Sequence, residues 1–223
     1  MPLKIRKIYS KNFIPRERKR NQIRFLVLHY TGMKKENEAI KRLVGIQSQV
    51  STHYFVKNNG EIIRMVPDLY KAWHAGISQW GKYSNLNKYS IGIEISNPGH
   101  MFGYSAFPKK QIRNLIKLLK QIIKNYKIKP NCILGHSDIA PDRKKDPGEK
   151  FPWKVLNKNN IGIWHNININ KLKSLRKKKI PAKESQIFIK KLKKLGYPFK
   201  SIIVKDKKKY EKLLVKAFQR RFR

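Results

Sequence analysis

Two histidines and one aspartate in this sequence stand where predicted strands give way to loops. His29 ends the apolar run IRFLVLH, His136 follows the short run NCILG, and Asp146 comes ten residues later. Two neutral imidazoles and a carboxylate leave one tetrahedral position of a zinc ion open to water, which is how catalytic zinc is held. Zinc lowers the pKa of such a water to about 7 and polarises a carbonyl oxygen. These residues therefore predict a hydrolytic zinc site, although their wide spacing alone leaves a structural role open for each.

Two further residues fit the remaining roles in an amide hydrolase. Glu94 lies in the alternating run SIGIEIS, and Lys144 lies in the loop DRKKD. A carboxylate can accept a proton and return it to the leaving amine, and an ammonium can stabilise the charge that develops on the carbonyl oxygen. We therefore expect Glu94 to transfer the proton and Lys144 to stabilise the oxyanion.

The elements that must position these residues are predicted strands mixed with helices. The apolar runs 23–29 and 90–96 are typical of buried strands, and a third, short strand is expected at 131–134. Segments 52–57 and 61–66 flank the sequence Asn-Asn-Gly, which predicts an antiparallel hairpin. Helical segments lie between the strands, so the predicted fold class is α/β, with a central mixed β-sheet flanked by helices.

Helical periodicity appears in several parts of the chain. An apolar stripe covers 35–50, and a strongly amphipathic helix opens with proline and covers about 108–126. Segments 185–195 and 210–222 keep the same period in a lysine-rich context. Residues 70–87 are rich in aromatic and glycine residues and are predicted to form a loop.

These patterns divide the chain into a basic N-terminal arm at 1–22, a catalytic domain at 23–170 and a small helical domain at 171–223. The chain has 53 Lys and Arg against 13 Asp and Glu, a net charge of +40. Such a charge attracts nucleic acid, acidic lipid or an anionic wall polymer. A coding bias toward Lys, Ile and Asn would give the same composition. Because no nucleic-acid-binding motif occurs, we expect no specific nucleic-acid partner.

Cysteine content and apolar runs bear on the compartment. Cys132 is the one cysteine, so no intrachain disulfide forms. The basic N-terminus is not followed by the apolar segment of a signal peptide. No run approaches the ~18 apolar residues of a spanning helix. We therefore expect a cytoplasmic monomer without a transmembrane segment, with the periplasm or cell envelope as the alternative location.

Five motifs occur in one order and at fitting distances. They are VLHYTG at 27–32, STHYFV at 51–56, AWHAG at 72–76, YSIGIEISN at 89–97 and GHSDIAPDRKKDPGEKFPW at 135–153. Together they make the chain resemble the N-acetylmuramoyl-L-alanine amidases, the family related to bacteriophage T7 lysozyme and the peptidoglycan recognition proteins. Within that family the chain is most similar to zinc amidases of the AmiD and AmpD type. The resemblance covers about 23–156.

The resemblance implies an activity and a role for each matched residue. His29, His136 and Asp146 would bind one zinc ion per chain. Glu94 would move the proton, and Lys144 would stabilise the oxyanion. The implied reaction is hydrolysis of the amide between N-acetylmuramic acid and L-alanine in peptidoglycan or muropeptides. The implied fold is the mixed sheet with flanking helices that T7 lysozyme and the recognition proteins share.

Other matched residues would contact the substrate. Arg143, His74 and Asn97 would line the groove and touch the stem peptide or the sugar. Asp142 departs from the glycine that the family commonly has before this arginine, which puts the local backbone and charge in doubt. The ending LLVKAFQRRFR resembles part of the small helical peptidoglycan-binding domain of AmiD-like enzymes.

Several alternatives remain open from the sequence. A non-catalytic peptidoglycan-recognition module is the alternative function, and the complete ligand set favours catalysis over it. His53 is expected to pack beside the site rather than bind metal, and Asp138 to cap a loop or orient a neighbour. His100 and His165 stand outside any motif and are expected at the surface.

Overall fold

The computed structural model of the protein describes residues 3–15, 17–178, 181–201 and 203–222. In chain order its strands are β1 (Ile5–Lys7), β2 (Phe13–Ile14), β3 (Phe25–Tyr30), β4 (Tyr54–Val56), β5 (Ile62–Arg64), β6 (Lys71–Ala72), β7 (Gln79–Trp80), β8 (Tyr83–Ser84), β9 (Ser90–Ile95) and β10 (Ile133–Gly135). Within these ranges a six-stranded sheet has the order β1-β5-β4-β9-β3-β10. Only β4 and β5 are antiparallel in it, so the sheet is mixed. Two small antiparallel sheets pair β2 with β6 and β7 with β8.

Helices flank this sheet. In chain order they are α1 (Glu36–Val44), α2 (Lys109–Tyr126), α3 (His136–Ile139), α4 (Trp153–Lys158), α5 (Ile169–Lys177), α6 (Ala182–Leu195) and α7 (Lys207–Phe222). Among the described residues, no helix combines the length and the apolar character that crossing a membrane requires. The predicted fold class, a central mixed sheet flanked by helices, is confirmed.

The side chains of β3 alternate between two cores, as successive residues of a strand must. Leu26 and Leu28 pack in one core together with α2. Phe25 and Val27 pack in a second core together with α6 and α7. The alternation places His29, the next residue of this series, on the same side as the second core.

The side chains of β9 follow the same rule. Ile91, Ile93 and Ile95 join the core that contains α2. Glu94 therefore points to the opposite face of the sheet. Because β3 and β9 are parallel neighbours with His29 directly beside Glu94 in the register, both residues lie on one face at the same level.

The predicted elements match the structure except at particular boundaries. The helix predicted at 35–50 ends at Val44, because Gly45 leaves the helical conformation and only a short 3₁₀ turn follows. The strand predicted at 131–134 begins at Ile133, after a 3₁₀ turn that opens with Pro130. The predicted loop at 70–87 contains β6, β7 and β8.

The two ends of the chain both pack onto the sheet. Residues 5–7 of the predicted arm form β1, which pairs in parallel with β5. At the other end, the rings of Trp80 and Tyr197 pack with their centroids 5.0 Å apart and their planes tilted by 58°, and a Cβ atom on Gly196 would meet the Trp80 ring at 2.4 Å. Gly196 also has a φ of +131°, so both its conformation and its contact with Trp80 require glycine. The proposed division into domains stays a prediction, and its positions 1, 2, 16, 179, 180, 202 and 223 lie outside the described residues.

Candidate functional site

The candidate site lies where β3, β9 and β10 end at one edge of the sheet. β3 carries His29 and β9 carries Glu94. β10 pairs in parallel with β3 on its other side and leads directly into α3, whose first residue is His136. The loop after α3 returns to this edge, where the backbone N–H of Ser137 donates to the carbonyl of Asp146 at 2.8 Å. Three separate segments of the chain are thereby brought together.

The three predicted metal ligands form one buried cluster. The Nδ1 atoms of His29 and His136 lie 2.8 Å apart, and they lie 3.1 and 3.0 Å from Oδ2 of Asp146. The three residues are only 1%, 4% and 6% exposed. A tetrahedral zinc ion with bonds of about 2.0–2.1 Å separates its ligand atoms by roughly 3.3 Å. The cluster therefore has nearly the size that a zinc ion requires.

Hydrogen bonds on the far sides of the rings fix which nitrogen faces the cluster. Nε2 of His136 lies 3.1 Å from the carbonyl oxygen of Ala75, which can only accept, so Nε2 carries the proton. In the neutral form of the ring Nδ1 then carries no proton, and this atom points at Oδ2 of Asp146 at 3.0 Å. An imidazole held in this way by a carbonyl is the usual arrangement of a metal-binding histidine.

A chain of three hydrogen bonds fixes the proton of His29 in the same way. The hydroxyl of Ser90 donates to the carbonyl of Leu86 at 2.6 Å, so its oxygen accepts from Nε2 of His74 at 3.1 Å. Nδ1 of His74 is then an acceptor, and it lies 3.0 Å from Nε2 of His29. His29 therefore donates its proton to His74 and presents a bare Nδ1 to the cluster.

When both imidazoles are neutral, as metal ligands must be, these assignments leave three acceptor atoms facing one another at 2.8–3.1 Å. Burial, with the nearby His136 imidazole, lowers the pKa of His29 to about 4, so the ring is neutral at pH 7. Burial alone would raise the pKa of Asp146, but the two histidines outweigh it and keep that carboxyl ionised. Such a cluster is satisfied by a cation, and its two nitrogens and one oxygen suit zinc.

Because Gly92 has no side chain, the ring of His74 can lie directly against β9. A Cβ atom at Gly92 would lie 2.3 Å from Cγ of the His74 ring, closer than any real contact. Gly92 also donates its N–H to Nδ1 of His53 at 3.0 Å. The glycine in the SIGIE motif is thus explained by the two imidazoles that lie against β9.

Glu94 is a buried acid beside this cluster. Part of its side chain opens to the cavity, but Oε2 is buried and has no hydrogen-bond partner among the described residues. Burial, followed by the negative charge of Asp146, raises the pKa of Glu94 well above 4.5, and the charge of Lys144 opposes this only in part. A carboxyl with a raised pKa can exchange a proton near neutral pH.

A cavity of about 580 Å³ opens over the cluster. The predicted residues that line it are His29, His74, Glu94, His136, Arg143, Lys144 and Asp146. Lys144 is half-buried in its wall. Arg143 also braces the AWHAG loop, because its Nε donates to the carbonyl of Ile77 at 3.0 Å and its Nη2 donates to Ala75.

Asn97 is not among the residues that line the cavity. It is 2% exposed, its Nδ2 donates to the carbonyl of Ser105 at 3.0 Å, and its Oδ1 accepts from the N–H of Gly99 at 3.0 Å. Its amide therefore holds the loop that follows β9. The predicted contact with substrate would have to act through that loop.

Two histidines outside the predicted set have defined places. His53 is fully buried, and its Nε2 lies 3.0 Å from the carbonyl of Tyr70, as expected for a packed neighbour of the site. His100 was expected at the surface; it is half-buried, it lines the cavity, and its Nδ1 lies 2.9 Å from the hydroxyl of Tyr30. No local motif around His100 signals this position, which depends on the fold of the loop after β9.

Comparison with known sequences places the chain among amidases. The family described as N-acetylmuramoyl-L-alanine amidase matches residues 19–149. The amidase AmiD of Escherichia coli (strain K12) is 42% identical over 155 residues, which is 64% of this chain and 55% of AmiD. The 1,6-anhydro-N-acetylmuramyl-L-alanine amidase AmpD of the same organism is 38% identical over 105 residues, 47% of this chain and 55% of AmpD. The chain thus spans about half the length of these curated relatives.

Solved structures agree with this result. AmiD from E. coli in complex with anhydro-N-acetylmuramic acid-L-Ala-D-γ-Glu-L-Lys superposes with a TM-score of 0.77 and 33% identity, covering 96% of this chain and 90% of that one. AmpDh3 from Pseudomonas aeruginosa in complex with anhydromuramic pentapeptide gives 0.75 and 31%, covering 93% and 85%. The fold, the motifs and these relatives together show that the chain belongs to the N-acetylmuramoyl-L-alanine amidase family.

Proposed function

We propose that this protein hydrolyses the amide bond between N-acetylmuramic acid and L-alanine, with one zinc ion held by His29, His136 and Asp146. The observation that supports this most directly is the buried cluster of His29, His136 and Asp146, whose ligand atoms all lie within 4.8 Å of one another. The cluster lines a cavity that Glu94 and Lys144 also line.

The proposed mechanism uses the groups around that cluster. Zinc bound there would supply a water of lowered pKa and polarise the carbonyl oxygen of the substrate. Glu94 accepts the proton of the attacking water and returns it to the amide nitrogen of L-alanine as the bond breaks, a task that its raised pKa suits. The ammonium of Lys144 stabilises the oxyanion.

The substrate class is inferred from the relatives. The AmiD and AmpDh3 structures contain anhydromuramyl peptides. We propose that this chain takes a muropeptide or peptidoglycan strand in the same cavity, with Arg143 and the AWHAG loop that it braces forming one wall. His74 and Asn97 would then support the groove from behind, His74 through His29 and Asn97 through the loop after β9.

The test uses purified full-length protein with its zinc content measured. It is incubated with an anhydromuramyl tripeptide and, separately, with intact sacculi, each with and without a chelator, and the products are identified by mass spectrometry. We expect a free peptide that begins with L-alanine, and no product after chelation. Zinc-replete protein that cuts neither substrate would overturn the proposal. Binding of the tripeptide without cleavage would favour the recognition module instead.

The Asp146→Ala variant tests the ligand assignment itself. It removes one of three ligand atoms, so zinc retention and activity should be lost together. Lys154→Ala, a change at an exposed residue of α4 that does not line the cavity, is the control and should keep both. An Asp146→Ala protein that retains one zinc per chain would show that the ligands are assigned wrongly.

The predicted cytoplasmic location, the monomeric state and the wall-binding role of the C-terminal helices belong to the same proposal. Cell fractionation with immunodetection tests the location, and light scattering coupled to gel filtration tests the oligomeric state. Recovery of the protein in the periplasm would contradict the predicted location. It would also favour the cell wall, rather than cytoplasmic muropeptides, as the substrate.

A further inference from the structure

The C-terminal helix α7 reaches the metal-binding end of the sheet through a buried ion pair. Nη1 of Arg221 lies 2.7 Å from Oδ2 of Asp138, and the two residues are only 4% and 1% exposed. The other oxygen of Asp138 accepts a hydrogen bond from the hydroxyl of Tyr197 at 2.7 Å. Residues that follow α6 and end α7 therefore bind both oxygens of this carboxylate.

The groups that Arg221 contacts lie on both sides of His136 in the chain. The N–H of Gly135 donates to Oδ2 of Asp138 at 2.8 Å, which closes the first turn of α3. Nη2 of Arg221 donates to the carbonyl of Ile133 at 2.9 Å. One guanidinium thus connects the start of β10, before His136, to the side chain of Asp138, after it.

The helix that carries His136 needs such support. α3 has four residues, fewer than a helix needs to be stable without tertiary contacts. Its only acidic side chain is buried, and a buried carboxylate is costly unless a cation or several hydrogen bonds compensate it. Without Arg221 the Asp138 carboxylate would lose the cation that compensates its charge, which favours a shift of α3 that brings Asp138 toward water and moves His136 with it.

Arg221 has no direct route to a substrate. It does not line the cavity, and its guanidinium lies 4.2 Å above the ring of Trp153, in the interior. Its effect on the reaction would therefore be exerted through α3. The residue also lies beyond the part of the chain that the amidase family matches, which ends at residue 149.

We propose that Arg221 is a positioning residue for the metal site: by holding Asp138 and β10 together, it keeps Nδ1 of His136 at the place where zinc binds. The C-terminal helix is then a working part of the hydrolytic unit, whatever else it binds. This inference rests on the proposed zinc site, but the experiments below distinguish failure of the positioning role from failure of the zinc site.

The test compares Arg221→Met, Arg221→Lys and the control Lys216→Met, which changes an exposed lysine of the same helix. Zinc affinity is measured by chelator competition on the full chain. We expect Arg221→Met to bind zinc about tenfold more weakly, the scale of losses at outer-shell residues. Arg221→Lys should recover part of the loss, and Lys216→Met should match the wild type.

Cobalt substitution separates positioning from general stability. Tetrahedral Co²⁺ absorbs visible light according to the arrangement of its ligands, so displacement of His136 changes the spectrum of cobalt-loaded Arg221→Met. A destabilised protein with an intact site keeps the wild-type spectrum. Wild-type zinc affinity together with a wild-type cobalt spectrum in Arg221→Met overturns the inference. Failure of the wild type to bind zinc overturns the proposed function instead.

Tyr197→Phe decides the matter should Arg221→Met fail to fold. It removes one hydrogen bond to Asp138 and leaves the ring in its packing against Trp80. A folded Tyr197→Phe protein with weaker zinc binding and an altered cobalt spectrum supports the inference. If Arg221→Met does not fold and Tyr197→Phe has the zinc affinity and cobalt spectrum of the wild type, the positioning role is rejected. Arg221 would then be required only for folding.

Discussion

Nδ1 of His74 lies 3.0 Å from Nε2 of His29, on the side of that ring that points away from the metal cluster. This contact makes His74 the group that selects the tautomer of a metal ligand. The sequence motif AWHAG had suggested a residue of the substrate groove. Although His74 borders the cavity, both of its ring nitrogens are already engaged by His29 and Ser90.

His74→Phe should weaken zinc binding by about 10–100-fold, since it removes the acceptor that fixes the proton of His29. The ring volume is nearly kept, so the protein should still fold. Zinc affinity by chelator competition measures the effect. His165→Phe, a change at a histidine that does not line the cavity, is the control. Equal zinc affinity in both variants would contradict the tautomer argument.

Glu94→Gln should retain zinc and lose turnover. The amide has the same shape as the carboxyl but cannot take up a proton, so kcat should fall by about 10²–10⁴-fold. Single-turnover hydrolysis of an anhydromuramyl tripeptide measures the loss, and metal analysis confirms the loading. Glu61→Gln, a change on the hairpin, should behave as wild type. Turnover within a factor of three of wild type in Glu94→Gln would remove its assigned role.

Gly92→Ala should displace His74, because the new methyl group would lie 2.3 Å from its ring. Overpacking of this kind costs about 1–3 kcal/mol of unfolding free energy. Urea unfolding of metal-free protein gives the stability, and zinc competition gives the affinity. Both should fall, whereas Gly81→Ala, at a glycine with no neighbouring atom within 4 Å of the added carbon, should leave zinc affinity unchanged. Normal zinc affinity in Gly92→Ala would show that the His74 ring moves without consequence.

The stability of the metal-free protein should fall as the pH is lowered from about 6.5 toward 3. Burial, followed by the charge of Arg18, lowers the pKa of His53 to about 3 in the folded state, while an unfolded histidine titrates near 6.5. The unfolded state therefore binds the extra proton throughout this range, which favours unfolding by up to about 1.4 kcal/mol per pH unit.

His53→Gln isolates this contribution. The variant cannot take up that proton on unfolding, so its unfolding free energy should depend less steeply on pH between about 4 and 6. Urea unfolding at several pH values, with a chelator present throughout, compares the two slopes. Identical slopes would mean that His53 does not remain neutral in the folded protein.

Much of the sheet could be predicted because its strands are short, apolar and separated by clear turn residues. The run at 23–29 overlaps β3 over residues 25–29, the run SIGIEIS contains β9, and the Asn-Asn-Gly turn joins β4 to β5. The end of α1 was predicted too late, because the apolar stripe continues past Gly45 even though the helix does not. The periodicity of apolar residues alone does not show that one glycine ends the helix.

The residues of the candidate site could be predicted from the sequence, but the hydrogen bonds and ion pairs that hold them in place could not. The motifs identify His29, His136 and Asp146, and the fold brings their ligand atoms together. The hydrogen bond from His29 to His74 depends on an approach across Gly92, which no spacing in the sequence expresses. The ion pair between Asp138 and Arg221 joins residues 83 positions apart, so only the folded chain shows it.

The edge of the main sheet is protected by the first few residues of the chain. β1 covers β5, and its outer side carries Arg6 and Lys7, whose charges discourage another strand from pairing there. A protein shortened to begin at residue 11 would expose the bare backbone of β5 as a template for intermolecular pairing. The effect of such a truncation should therefore be measured as solubility and oligomer formation. We expect the soluble yield to fall even where the distant metal cluster is unchanged.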